Sequence, residues 1–226
     1  MARCLSRNPQ PDYLCRKWVK AYFYGLEWYE SYDLIEFLVA NNRHIIDRPS
    51  IQQERLEANY NAILEIELSG FRFITGILAP ISNTAETGEI ASAIEAAGNF
   101  GLAGARTHIQ TALKLLGRKP HPEYRNSVKE SISAVESVAK LISGSSASGL
   151  AGALTALEQE VNIHSALKQG FIRLYGYTSD ANGIRHAILE DSNVGFDEAK
   201  YMLVSCSAFV HYLISKANTC GLLKSR

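Results

Sequence analysis

The sequence predicts an all-α or mainly α protein with at most a short β segment. Apolar residues recur every three or four positions along most of the chain, which is the period of helices that bury one face. The strongest breaks, such as GRKPHPEY at 117–124 and GSSASG at 144–149, stand between these periodic segments. One stretch only, FRFITGILAPI at 71–81, alternates side chains in the way a strand does.

Composition indicates a soluble globular protein with one large core or two small ones. The chain has 226 residues, of which 46% are hydrophobic, and it lacks a run of about 18 apolar residues that would span a membrane. Basic and acidic residues both number 23, so no global field draws the protein to nucleic acid. The N-terminal stretch MARCLSRNPQPDY has no apolar core of a signal peptide. We therefore expect a cytoplasmic protein with no membrane partner.

The segment from Pro11 to Asn42 is rich in aromatic residues at helical spacing. Gly25 divides it into two predicted helices. The aromatic residues are Trp18, Tyr22, Phe23, Tyr24, Trp28, Tyr29, Tyr32 and Phe37. Such a stripe can stack on nucleic-acid bases, but at this period it is more often part of a hydrophobic core, and the core interpretation is favoured.

The middle of the chain predicts three more helices and one extended segment. A helix with a polar face is expected from Pro49 to Leu68, and 71–81 is expected to be a short strand or link that builds no sheet. Thr84 or Thr87 can cap the next helix, and another runs from about 101 to 116. GRKPHPEY then marks the predicted boundary between an N-terminal domain, 1–117, and a C-terminal domain, 118–226.

The C-terminal domain is predicted to be a bundle of four or five antiparallel helices joined by short links. Its first helix carries an apolar stripe of Val128, Ile132, Val135, Val138 and Ile142. Leucine and isoleucine repeats predict two further helices between 150 and 174. The last helix, 196–214, opens with acidic residues near its N-terminal dipole.

Neither the cysteines nor the histidines have the spacing of a metal site. Cys4, Cys15, Cys206 and Cys220 form no CxxC or Cys/His pattern, and Cys206 lies on an apolar helix face, so buried or idle thiols are favoured over disulfides or zinc. His108, His121, His164 and His211 show no ligand spacing either. We expect no metal and no cofactor.

The densest group of reactive side chains is YGYTSDANGIRHAILE, Tyr175 to Glu190. Asp180 is a plausible N-cap of a short helix, and His186 can bridge helices through hydrogen bonds. Tyr175 and Tyr177 can stack on a base, although a buried hydroxyl that makes a hydrogen bond is more common. Chemistry, if the protein performs any, is expected in this stretch.

Several strings together resemble a known family. YRNSVKESISAVESVAKLISG and the run from IHSALKQGF to SAFVHYLI resemble the C-terminal region of bacterial abortive-infection proteins that carry AbiJ N-terminal domain 4. WYESYDLIEFLV and FRFITGILAPISN are similar to that N-terminal module. The C-terminal region of this family is similar to HEPN domains, which implies a HEPN-like antiparallel bundle, a dimer and, as in many members, a metal-independent ribonuclease with an Arg-x4-6-His motif.

The resemblance implies a site, but the spacing departs from the family motif. By position, His186 takes the role of the histidine, whereas Arg185 is adjacent to it and Arg173 is too far upstream. Adjacent residues on a helix point about 100° apart, so Arg185 and His186 need not share one phosphate within a subunit. A second copy in a dimer could supply the arginine.

Two functions follow as expectations. The first is a phage-defence endoribonuclease acting at a dimer cleft, with His186, Arg185 and Arg173 catalytic and with Tyr175, Tyr177 and Asp180 binding the substrate. Its partners would be RNA, a second copy and an unknown trigger or antitoxin. The alternative is a non-catalytic helical dimer that acts as a sensor or partner-binding module in the same defence context.

Overall fold

The computed structural model describes residues 13–41, 49–144, 149–179 and 194–224, and the side chains of 13–16, 49–52 and 177–179 are not described. The elements are α1 (Tyr13–Tyr24), α2 (Trp28–Ala40), α3 (Pro49–Ile66), β1 (Arg72–Ile74), β2 (Ile77–Ala79), α4 (Thr84–Asn99), α5 (Ala103–Leu116), α6 (Tyr124–Ser143), α7 (Gly149–Glu160), α8 (Ser165–Ser179) and α9 (Phe196–Thr219). The prediction of a mainly α fold is confirmed. In the described ranges, no helix combines the length and the apolar character needed to cross a membrane.

The chain divides into two compact units, residues 1–53 and 54–226. The first unit contains α1 and α2, which are separate helices on either side of Gly25, as the sequence predicts. Its aromatic side chains are not a core, however. Six of them are exposed: Trp18, Tyr22, Phe23, Tyr24, Trp28 and Phe37. The core interpretation is wrong for these residues, because helical period identifies an apolar face without identifying what covers it.

The second unit contains the hydrophobic core, built mainly from α4, α5, α6 and α9. Helix α4 packs against α5 and α9, α6 packs against the same two helices, and α7 packs against α6 and α8. Short connections join α4 to α5 and α5 to α6, and such connections favour antiparallel neighbours. The predicted domain boundary at 117/118 falls inside this unit, between two helices that pack along each other. As a boundary between domain families it stays a prediction.

Helix α6 is the central element of this core. Its predicted stripe is buried at Val128, Ile132, Val135 and Val138, and small buried residues, Ser127, Ser131, Ala134 and Ala139, extend the buried surface around the helix. The Ser127 Oγ donates a hydrogen bond of 2.8 Å to the Ala112 carbonyl of α5, which satisfies a hydroxyl that would be costly to bury alone.

A β-hairpin precedes the bundle. β1 and β2 pair antiparallel with Phe73 opposite Leu78. Thr75 and Gly76 both have positive φ, 47° and 87°, as a two-residue type I′ turn requires. The Asn61 side chain of α3 holds β1 through both backbone groups of Phe73, at 2.7 and 3.0 Å. The expectation that residues 71–81 build no sheet is therefore wrong. The prediction of a mainly α protein with at most a short β segment is confirmed.

Side chains accept hydrogen bonds from backbone N–H groups at the N-termini of α4 and α9, although the cap of α4 is not one of the predicted residues. Asn83 caps α4, since its Oδ1 accepts hydrogen bonds from the backbone N–H groups of Ala85 at 2.9 Å and Glu86 at 3.2 Å. The prediction of a cap at Thr84 or Thr87 is therefore wrong by one residue or more. At α9, the Gly195 N–H donates to the Glu198 carboxylate at 2.9 Å, so the predicted acidic first turn is confirmed.

A pair of glycine substitutions tests the packing of the hairpin on α5. A Cβ on Gly117 would lie 2.8 Å from the Leu78 carbonyl oxygen and 3.3 Å from the Ala79 Cα, both backbone atoms of β2, whereas a Cβ on Gly88 in α4 would meet nothing within 4 Å. We expect Gly117→Ala to lower the free energy of unfolding by about 1–3 kcal/mol. Gly88→Ala should raise it by about 0.5–1 kcal/mol because alanine favours a helix interior.

Urea unfolding followed by far-UV circular dichroism measures both effects, and Gly88→Ala is the matched control for adding one methyl group. Equal changes in the two variants would contradict the close approach of β2 to the end of α5.

Candidate functional site

The predicted site spans the end of α8 and the segment before α9. Asp180, Arg185 and His186 lie outside the described residues, which resume at Val194. The described geometry therefore concerns α8, the first turns of α9 and their neighbours. It places two of the predicted site side chains, Arg173 and Tyr175.

Arg173 and Tyr175 lie on different faces of α8. Phe171, Leu174 and Tyr175 have i, i+3, i+4 spacing and pack against the core, while Arg173 is exposed. The Phe171 ring stacks on Phe209 of α9 with a centroid distance of 3.5 Å and an interplanar angle of 13°. This stack fixes the rotation of α8, so the Arg173 guanidinium is presented to solvent, where it can meet an anion such as a phosphate.

Tyr175 is half-buried at an apolar depression. The other residues that line this depression are Ile132, Val135, Leu150, Phe171, Leu174, Met202 and Cys206. A Cβ built on Gly149 at the start of α7 would lie 3.9 Å from the Tyr175 hydroxyl oxygen. Stacking of Tyr175 on a base stays a prediction, as does the alternative of a buried hydroxyl group that makes a hydrogen bond. The side chain of Tyr177 lies outside the described residues.

An ion pair also anchors α8. Lys168 is buried, and its ammonium group contacts the Glu158 carboxylate of α7. A buried charge is costly unless it is paired, so this contact joins α7 to α8. The sequence does not predict this pair, because its two residues are ten positions apart on different helices and form no local motif.

Two histidines pair with glutamates across the bundle. His108 Nδ1 lies 2.7 Å from Glu130 Oε2, between α5 and α6, and His211 Nδ1 lies 3.0 Å from Glu89 Oε1, between α9 and α4. A carboxylate orients an imidazole ring, and each pair here joins neighbouring helices. Within the described parts of the chain, no three His, Cys, Asp or Glu side chains are grouped in a way that could hold a metal ion.

Among the described residues, Cys206 is the titratable group whose pKa is clearly shifted by burial. Desolvation raises the pKa of its thiol from 9.0 to about 12. The group stays protonated at neutral pH, which removes the thiolate that a nucleophile requires. The prediction of a buried, idle thiol is confirmed for Cys206, whereas Cys220 is exposed. Cys4 and the side chain of Cys15 lie outside the described residues.

Comparison with known proteins gives one match. The family model described as AbiJ N-terminal domain 4 matches residues 5–96. This part of the chain is AbiJ-like. The match supports the predicted AbiJ-like protein but covers less than half of the chain and ends within α4. It does not include α5 to α9 or the Arg-His pair, so the HEPN-like character of the C-terminal helices stays a prediction. No curated protein matches the chain, and no solved structure matches it.

Alkylation tests the burial of Cys206. With iodoacetamide at about pH 8, we expect mass spectrometry to find Cys220 modified in the folded protein and Cys206 modified only in denaturant, so Cys220 is the internal control.

The unfolded chain loses the Cys206 proton above its ordinary pKa of 9.0, whereas the folded protein retains it. The contribution of this thiol therefore lowers the free energy of unfolding as pH rises above 9.0. Equal modification of Cys206 and Cys220 by iodoacetamide in the folded protein would contradict the burial of Cys206.

Proposed function

We propose that this protein acts in abortive infection, as a phage-defence effector whose C-terminal helices cleave RNA without a metal ion. The match of residues 5–96 to AbiJ N-terminal domain 4 carries the defence role. The proposed cleavage rests on the resemblance of the remaining helices to HEPN domains and on the Arg185-His186 pair between α8 and α9. The helical architecture of the second unit is consistent with such a bundle.

The chemistry needs only an imidazole and a guanidinium. His186 would take the proton of an RNA 2′-hydroxyl, the 2′-oxygen would attack the adjacent phosphorus, and the bond from phosphorus to the 5′-oxygen would break. The leaving 5′-oxygen takes a proton from the acid form of a histidine, and an arginine stabilises the charge on the phosphate oxygens. The products are a 2′,3′-cyclic phosphate end and a 5′-hydroxyl end.

The arginine has two candidate sources. Arg185 is adjacent to the histidine, and Arg173 is exposed on α8. In a homodimer, either could act on a phosphate bound by His186 of the other copy, which would compensate for the departure from the Arg-x4-6-His spacing. The exposed face of α8 supports a role for Arg173 as a phosphate-binding residue.

A second candidate function is a non-catalytic sensor or partner-binding module in the same defence context. The exposed aromatic side chains of α1 and α2 favour it, because exposed aromatic patches are typical of protein interfaces. In this role, the Arg185-His186 pair would be structural, and a trigger or an antitoxin would bind the AbiJ-like part.

A plaque assay tests the defence role and separates the two candidates. Cells that express the protein should yield fewer plaques than cells with an empty vector. His186→Ala should abolish the protection if the protein cleaves RNA and should preserve it if the protein is a binding module. His121→Ala, at an exposed histidine between α5 and α6, is the matched control and should protect like the wild type. Equal plaque numbers with the wild type and with the empty vector would contradict the defence role.

Analysis of RNA ends tests the proposed cleavage. Purified wild-type protein incubated with total RNA in EDTA should produce 2′,3′-cyclic phosphate ends, and His186→Ala should lower their rate of formation by 10²-fold or more, which is roughly the size of a general acid–base contribution. His121→Ala should leave the rate unchanged. RNA from infected cells that express each variant, mapped for 5′-hydroxyl ends, extends the test to a protein that needs a trigger. Identical ends with wild type and His186→Ala in both experiments would contradict the nuclease proposal.

A further inference from the structure

The connection between α5 and α6 carries a concentration of positive charge. Basic and acidic residues are equal in number over the whole chain, 23 of each, but residues 96–122 contain no acidic residue. Five lysines and arginines lie within about two helical turns of the connection, and together they form what we call the α5–α6 tip: Lys114, Arg118, Lys119, Arg125 and Lys129. Glu123 is the one acidic residue among them.

The α5–α6 tip is part of the packed bundle. The Glu123 N–H donates a hydrogen bond of 2.9 Å to the Leu115 carbonyl oxygen. The Ser127 hydroxyl donates one of 2.8 Å to the Ala112 carbonyl oxygen. These two bonds tie the end of α5 to the start of α6, so the basic side chains project from two helices whose positions are fixed relative to each other.

Three of the five cations have contacts within the chain. Arg118 forms an ion pair with Glu123. The Lys119 ammonium group lies 6.0 Å from the centre of the Phe71 ring, and Arg125 also interacts within the chain. The ion pair with Arg118 uses the one carboxylate of the tip, and the tip therefore keeps a net positive charge.

Lys114 and Lys129 remain for an external partner. Lys114 is exposed and Lys129 is half-buried, and both lie outside the buried faces of their helices. Across the described ranges, neither lysine forms an ion pair with a carboxylate. The tip also lacks an apolar patch, since the described residues between Leu68 and Leu141 include no exposed large hydrophobic side chain. Such a surface fits a hydrophilic polyanion.

The tip lies at the end of the bundle where α9 begins. The rings of Tyr124, at the start of α6, and Phe196, at the start of α9, have centroids 6.3 Å apart. The described chain resumes at Val194, after the segment that carries Arg185 and His186. A strand bound to the tip is therefore held where that segment rejoins α9. This end also contains the two acidic residues in the first turn of α9, but the five cations of the tip exceed all three carboxylates.

We propose that the α5–α6 tip binds the phosphate backbone of single-stranded RNA. Lysine and arginine side chains that neutralise phosphates release counterions, which supplies affinity without reading the sequence. An anionic membrane is a poorer match, because the tip has no exposed apolar side chain to insert among lipids. The choice of RNA rests on the proposed function, whereas the binding itself requires neither His186 nor cleavage.

A binding assay on the full chain tests this proposal. The probe is a fluorescent 2′-O-methyl RNA of about 16 nucleotides, which lacks the hydroxyl group that the proposed cleavage requires. The tip variant is Lys114→Ala/Lys129→Ala. The matched control is Lys216→Ala/Lys224→Ala, at two exposed lysines, because Lys216 lies about 30 Å along α9 from its first residue. Circular dichroism confirms that each variant is folded.

We expect fluorescence anisotropy at several salt concentrations to give a smaller salt dependence for the tip variant. Each phosphate contact on a single strand contributes about 0.7 to the slope of the logarithm of affinity against the logarithm of salt concentration. Loss of two contacts should therefore reduce the slope by about 1.4 and weaken binding roughly tenfold or more at about 0.1 M salt. The control should keep the slope and the affinity of the wild type.

Three results would overturn the proposal: no binding of the RNA by the wild type, equal slopes in the wild type and the tip variant, or an equal loss in the control. Binding to vesicles of equal parts phosphatidylcholine and phosphatidylserine that depends on Lys114 and Lys129, without binding to RNA, would also overturn it and assign the tip to a membrane. RNA cleavage without binding at the tip removes this proposal alone, and binding without cleavage removes only the nuclease.

Discussion

The close packing of α6 against three neighbouring helices is the constraint on which the second unit depends. A helix in contact with α5, α7 and α9 has little surface left for solvent. Large side chains cannot fill all of these contacts, because neighbouring backbones must approach closely. At α5, a Cβ on Gly104 would lie 2.8 Å from the Ser137 Oγ of α6. Glycine, alanine and serine at these positions therefore bring the helices together, and the valine and isoleucine stripe fills the space between them.

The sequence predicted the part of this arrangement that depends on strong apolar periodicity. The stripe of α6, the acidic first turn of α9 and the division at Gly25 are all present. The buried role of Ser127 and Ser131 was not predicted, because a serine has the same local pattern whether it faces solvent or a neighbouring helix. The hairpin was underestimated because it is held by contacts outside its own segment, such as the two hydrogen bonds between Asn61 of α3 and Phe73, which the alternation within 71–81 does not show.

The same distinction applies to the candidate site. The outward direction of Arg173 follows from the register of α8, once Phe171 and Leu174 are assigned to the core. The His108–Glu130 and His211–Glu89 pairs could not be predicted, since their members are 22 and 122 positions apart. A motif search finds residues that are close in sequence, as it found Arg185 and His186. A histidine that is oriented by a carboxylate on another helix is visible only after the helices are packed.

The two units differ in where their apolar side chains lie. The second unit buries its aliphatic residues within one chain, whereas α1 and α2 leave aromatic rings exposed beside charges of opposite sign. The same helical period predicted a core in both units, and it was correct for the α6 stripe but not for the exposed rings of α1 and α2, because period identifies an apolar face without identifying what covers it.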